Sequence, residues 1–170
     1  MTTKNQEILK ALKSAMEAEL IGNQFYKNAA QNTGDEQGKK VFQEMAAEEM
    51  QHFNYLRRQY QSIMDTGSYD FSTKLVKEAA KQHDNPIFSQ KMRKRIKDCH
   101  FEISALTIAM KLEMDSVRFY QHCAEQATTE EAKNFYLELA EWEKEHLQSL
   151  EQELEMLKED YWEANHFTPM

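Results

Sequence analysis

Residues 41–56, VFQEMAAEEMQHFNYL, decide the fold, because residues 135–150, FYLELAEWEKEHLQSL, repeat them without a gap. The same offset of 94 lays ALKSAMEAELIGNQFYKNAA (11–30) over ALTIAMKLEMDSVRFYQHCA (105–124). Across 11–56 and 105–150, fifteen of 46 positions are identical, including Glu19, Phe25, Tyr26, Ala46, Glu49, His52 and Leu56. Unrelated helical segments share about a tenth on composition alone. Both copies place apolar residues at steps of three and four, the period of a helix with one buried face. The chain reads as two copies of one helical hairpin, giving an all-α four-helix bundle.

Punctuation along the chain sets the boundaries. Four Gly and two Pro in 170 residues leave little room for the tight turns of a many-stranded sheet. Thr33 with Glu36, and Thr128 with Glu131, have capping-box spacing. Asp65 to Ser68 closes the second helix, and Asp84-Asn85-Pro86 precedes the third. The expected helices span about 5–32, 35–64, 88–127 and 129–163, within a single domain over 1–170. The repeat halves are then about 5–64 and 88–163, joined by a long crossover at about 65–87 that holds a short helix near 72–83. Because the hairpin loops lie at opposite ends, this crossover must travel the bundle's length. A straight third helix from Ile87 would start about 39 Å beyond the bundle's middle. Either 87–96 bends away, or the hairpins pair between two chains as a domain-swapped dimer.

The apolar stripes carry charge where periodicity calls for core. The third helix runs Ile103, Leu106, Met110, Glu113, Val117, Tyr120, and the first runs Leu12, Met16, Glu19, Asn23, Tyr26. The second helix places Glu49 and His52 in its stripe, and the fourth Glu143 and His146. Glu19 lies fourteen residues before Thr33 and Glu49 fifteen after Gly34, about 21 and 22 Å of helix, so the two meet at one depth. Glu113 and Glu143 have the same thirty-residue separation. All six groups can form one layer. Four buried carboxylates repel one another and cost several kcal/mol each or protonate. Two divalent cations would neutralise them, with the imidazoles as neutral ligands. One Glu from each of two helices and Glu-x-x-His from each of two others is the ligand set of ferritin-like dimetal bundles. Hard oxygen donors with imidazole suit iron or manganese. The alternative on these residues is a structural bundle with a polar core.

Charge and composition exclude other roles. Lys and Arg total 21 against 29 Asp and Glu, a net charge of −8 that repels a phosphate backbone, so no nucleic-acid partner is expected. No stretch approaches 18 apolar residues, so no membrane span is expected, and the first twenty residues lack a secretory apolar core. Cys99 and Cys123 form no C-x-x-C pair and read as packed thiols of a cytoplasmic protein.

Helix two, F-x-x-M-A-x-E-E-x-x-H over 42–52, together with the Glu…Phe-Tyr…Ala pattern of 19–30 and 113–124, resembles the ferritin-like superfamily. More narrowly it resembles the erythrin domain of the rubrerythrin family, over about 5–160. The resemblance implies a ferritin-like four-helix bundle holding a non-haem di-iron centre that reduces hydrogen peroxide or dioxygen. It implies two iron ions per chain; manganese fits the same donors, and zinc can substitute in isolated protein. Carried over, Glu49 and Glu143 bridge the metals, Glu19 and His52 are terminal on one, and Glu113 and His146 on the other. The family's rubredoxin-like pairs of C-x-x-C do not occur in this sequence, so electrons would come from an external donor such as a rubredoxin-like protein. Where the family tends to carry an extra glutamate three residues after Glu113, this sequence has Ser116. The duplicated ligand set also resembles bacterioferritin, so a ferroxidase for iron storage or detoxification is the second reading. A homodimer is expected.

Tyr26 and Tyr120 lie two turns after Glu19 and Glu113, and helical side chains lean toward the N-terminus, so their hydroxyls point at the metal layer. They are candidates to hydrogen-bond ligand carboxylates or to supply an electron. Trp142 and the methionines 16, 45, 110 and 114 read as packing. His83, His100 and His122 read as surface groups, and Glu163 with His166 as an unmatched Glu-x-x-His in the tail.

Overall fold

The computed structural model of the protein describes residues 3–72 and 86–164. Helix α1 (Thr3–Asn32) turns through three residues into α2 (Glu36–Thr66), and α4 (His100–Gln126) turns likewise into α5 (Glu130–Ala164). The two antiparallel hairpins pack into an all-α ferritin-like bundle, with no strand among the described residues. No described helix is long and apolar enough to cross a membrane.

Caps fix the hairpin turns. Asp35, not Thr33, caps α2: its carboxylate accepts from the Gly38 amide at 2.9 Å. The Thr33 hydroxyl instead accepts from the Asp35 amide and donates to Glu102 at 3.0 Å, so the expected Thr33–Glu36 box does not form. Thr129 caps α5 by accepting from the Ala132 amide at 3.2 Å. Helix α2 ends at Gly67, whose φ of 78° is the left-handed geometry that favours glycine and whose amide closes onto Ile63.

The third long helix starts at His100 rather than near 88. Residues 87–99 bend off the bundle axis through a one-turn helix α3 (Gln90–Arg93) and a 3-10 turn (Ile96–Asp98). Two buried carboxylates hold that bend. Glu153 accepts the Ile87 and Phe88 amides at 2.6 and 3.4 Å, and Asp35 accepts the Ser89 amide at 3.0 Å and its hydroxyl. The Phe88 ring lies on Gly38, where an added Cβ would sit 2.5 Å from two ring carbons, so the close approach requires glycine. Ile96 and Cys99, expected on the third helix, are buried in this cap instead. The crossover helix expected near 72–83 falls almost wholly outside the described residues, as does His83.

Two apolar clusters fill the bundle. One gathers Tyr26, Phe42, Met45, Ile87, Phe88, Leu106 and Leu150 at the α1–α2 loop end. The other gathers Leu12, Tyr55, Leu56, Tyr120, Phe135, Tyr136 and Leu139 at the opposite end. Between them lies one polar layer.

Candidate metal centre

Each long helix delivers its charged residue to that layer because its stripe breaks there: Glu19 from α1, Glu49 and His52 from α2, Glu113 from α4, Glu143 and His146 from α5. All six are buried. They form two overlapping groups, Glu19, Glu49, His52 and Glu143, and Glu49, Glu113, Glu143 and His146. Within each group, one ligand atom per residue lies within 4.8 Å of the others. Glu49 and Glu143 belong to both, at the positions assigned to bridges.

Both imidazoles aim Nδ1 inward. His52 Nδ1 lies 3.3 Å from Glu19, 3.8 Å from Glu49 and 3.1 Å from Glu143. His146 Nδ1 lies 3.3 Å from Glu49 and 3.6 Å from both Glu113 and Glu143. Few of these contacts are aligned as hydrogen bonds. Glu49 Oε1, both Glu143 oxygens and His146 Nδ1 are buried without a hydrogen-bond partner. Buried polar atoms left open in this way are costly, and here they come from α2 and α5, at the residues both groups share and beside them. Oxygen-rich donors with one imidazole per group match a di-iron site. The residues fit the group.

Electrostatics show how the layer is balanced without cations. Burial, with the charges of Glu143 and Glu49, pushes Glu19 well above the usual carboxylate range. Burial, with Glu49 and Glu143, does the same to Glu113. Burial and Glu143 also push at Glu49, but the close imidazoles of His146 and His52 and the acid of Glu19 outweigh them, and its carboxyl is held low. Glu143 is held low against its burial by His52 and His146. Burial disfavours charge on the imidazoles, yet the surrounding carboxylates raise both His52 and His146 well above their ordinary value. These shifts favour the protonated forms of Glu19, Glu113, His52 and His146, so protons and divalent cations compete for the same donors.

The tyrosines cross between halves. Tyr26 on α1 donates to Glu113 on α4, and Tyr120 on α4 donates to Glu19 on α1. Burial and those carboxylates raise both phenols, which keeps the donating protons in place. Sequence reading put the hydroxyls at the layer but not on the opposite hairpin's glutamate.

Sequence reading missed Glu48 and gave Trp142 only as packing. His146 Nε2 meets Glu48 Oε2 at 2.7 Å. The His52 ring packs on Trp142 with centroids 5.0 Å apart. Both lie one residue off the stripe, where periodicity predicts a flank; the signal that marks them is their shared repeat position with unlike residues. His100 and His122 are exposed and lie outside the layer, Cys99 and Cys123 are buried free thiols, and His166 falls outside the described residues. Gly22 packs against Glu49, with an added Cβ 3.3 Å from its Oε2.

The rubrerythrin family profile matches residues 10–154, a span containing every member of the layer. No curated protein matches the chain. Among solved structures, a hypothetical protein from Pyrococcus furiosus is similar in fold, at 24% identity and a TM-score of 0.64. The match covers 89% of this chain and 90% of that one.

Proposed function

The chain belongs to the rubrerythrin family, and from that premise we propose that it is a non-haem di-iron oxidoreductase reducing hydrogen peroxide or dioxygen. The observation that carries the proposal is the pair of overlapping carboxylate–imidazole groups sharing Glu49 and Glu143. In this reading Glu49 and Glu143 would be shared by both ions, Glu19 and His52 would hold one, and Glu113 and His146 the other. Bound ferrous ions would supply two electrons, one each, to an O–O bond.

The chain's own groups set the conditions. Four carboxylates against two divalent ions leave the layer neutral. His52 and His146 serve as uncharged donors through Nδ1. Tyr26 and Tyr120 fix Glu113 and Glu19 by donating to one oxygen of each, which orients the other. The apolar clusters on either side keep bulk water from the layer. In this reading turnover draws electrons from a rubredoxin-like donor. Its site of action is the cytoplasm and its assembly a homodimer.

The test is anaerobic reconstitution with ferrous iron followed by stoichiometric hydrogen peroxide. The proposal expects two Fe(II) oxidised per peroxide, with repeated turnover once a reductant is added. The near equality of the two ligand groups also favours a ferroxidase that passes iron on to storage. Continued oxidation of added Fe(II) beyond two per chain, with iron retained as a mineral, would select that reading instead.

A further inference from the structure

The sequence repeat makes the two halves of the layer equivalent in their ligands but not in what stands behind them. At the offset of 94, His52 matches His146, while Glu48 matches Trp142. The fold turns that mismatch into two different environments. His146 Nε2 faces a carboxylate at 2.7 Å, and the Glu48 side chain is 37% exposed, so its charge stays hydrated. His52 Nε2 is buried without a hydrogen-bond partner, and its ring lies against the Trp142 indole.

An imidazole that binds a metal through Nδ1 carries its proton on Nε2. A carboxylate accepting that proton fixes the tautomer and the ring orientation and raises the basicity of the donor nitrogen. Glu48 does all three for His146. In the same tautomer His52 buries an N–H that has no hydrogen-bond partner.

We propose that the two metal positions are unequal, with Glu48 a positioning residue that makes the His146–Glu113 half fill first and bind more tightly than the His52–Glu19 half. This rests on the dimetal reading above and adds an order of loading to it. Partners of this outer kind contribute about 10–100-fold in metal affinity, and that is the expected separation of the two steps.

The test is calorimetric titration of the metal-free full chain with cobalt(II) alone, with bound cobalt counted by equilibrium dialysis. Two steps of one ion each are expected, about 10–100-fold apart in dissociation constant. His146→Ala should remove the tight step and His52→Ala the weak one. Glu48→Gln keeps the size and loses the charge; it should weaken the tight step by about 10-fold or more and leave the weak step unmoved. Because Glu48 is partly exposed, the metal-free variant should keep its helical fold by circular dichroism, with only a small drop in melting temperature from the lost contact to His146, which separates positioning from folding. Trp142→Glu should tighten the weak step by supplying the missing carboxylate. Two equal steps, a tight step that survives Glu48→Gln, or a tight step lost with His52 would overturn the unequal-site proposal while leaving the dimetal reading intact. Absence of cobalt binding would overturn both.

Discussion

Filling the layer with two divalent cations should expel about four protons per chain. Without metal, the raised Glu19, Glu113, His52 and His146 favour their protonated forms, while the lowered Glu49 and Glu143 favour their charged forms. Two imidazoliums then offset two carboxylates. Two divalent ions need all four carboxylates ionised and both Nδ1 lone pairs free, so four protons must leave. Each costs about 1.4 kcal/mol of binding per pH unit as pH falls, and overall affinity for the pair should rise by up to about four decades per unit. The same protons set the stability of the metal-free chain. The four raised groups bind more protons folded than unfolded, so their contribution is full below their ordinary values and is lost as pH rises through the raised ones. Glu49 and Glu143 act oppositely and lose theirs only as pH falls below the ordinary carboxylate range. The metal-free melting temperature should therefore fall as pH rises above the ordinary imidazole value of about 6.5, and loaded protein should not follow it. The assay is cobalt(II) titration in weak buffer with a pH indicator, repeated calorimetrically in buffers of different ionisation heat. Release of one proton or none would refute this charge balance.

Gly22→Ala places a Cβ 3.3–3.4 Å from the Glu49 carboxylate; it should weaken metal binding about 10-fold while the metal-free melting temperature holds or rises, since helix propensity gains up to about 1 kcal/mol. Gly38→Ala drives a Cβ into the Phe88 ring and should lower stability by about 1–3 kcal/mol in chemical denaturation with or without metal. Tyr26→Phe and Tyr120→Phe each remove one donor to a buried ligand carboxylate. Each should cost the loaded protein about 1–3 kcal/mol by thermal melting, in similar amounts because the two contacts mirror each other.

The four long helices and their polar layer were legible because both rest on period and repeat. Glu19, Glu49, Glu113 and Glu143 stand where an apolar residue belongs, and depth matching across each turn needs only the helical rise. The start of the third helix was not legible. No Gly or Pro interrupts 88–127, so local propensity favours one long helix. The break comes from tertiary contacts: Glu153 takes the Ile87 and Phe88 amides, Asp35 takes Ser89, and four apolar residues from Ile87 to Ile96 gain burial over the bundle end. Thr33 misled for a related reason, since Asp35 two residues on offers a carboxylate that caps α2 and ties down Ser89 together. Glu48 was hidden by the rule that exposed the ligands, for it sits one residue outside the stripe and reaches its histidine from the flank; Trp142, read as packing, does pack, on the His52 ring.

The most direct test is the metal content of the full chain after anaerobic loading with ferrous iron and removal of excess. The account predicts about two ions per wild-type chain, and fewer in Glu49→Ala and Glu143→Ala than in either single histidine variant, because a bridging carboxylate serves both positions. Iron-free wild-type protein, or full loading that survives Glu49→Ala and Glu143→Ala, would contradict it.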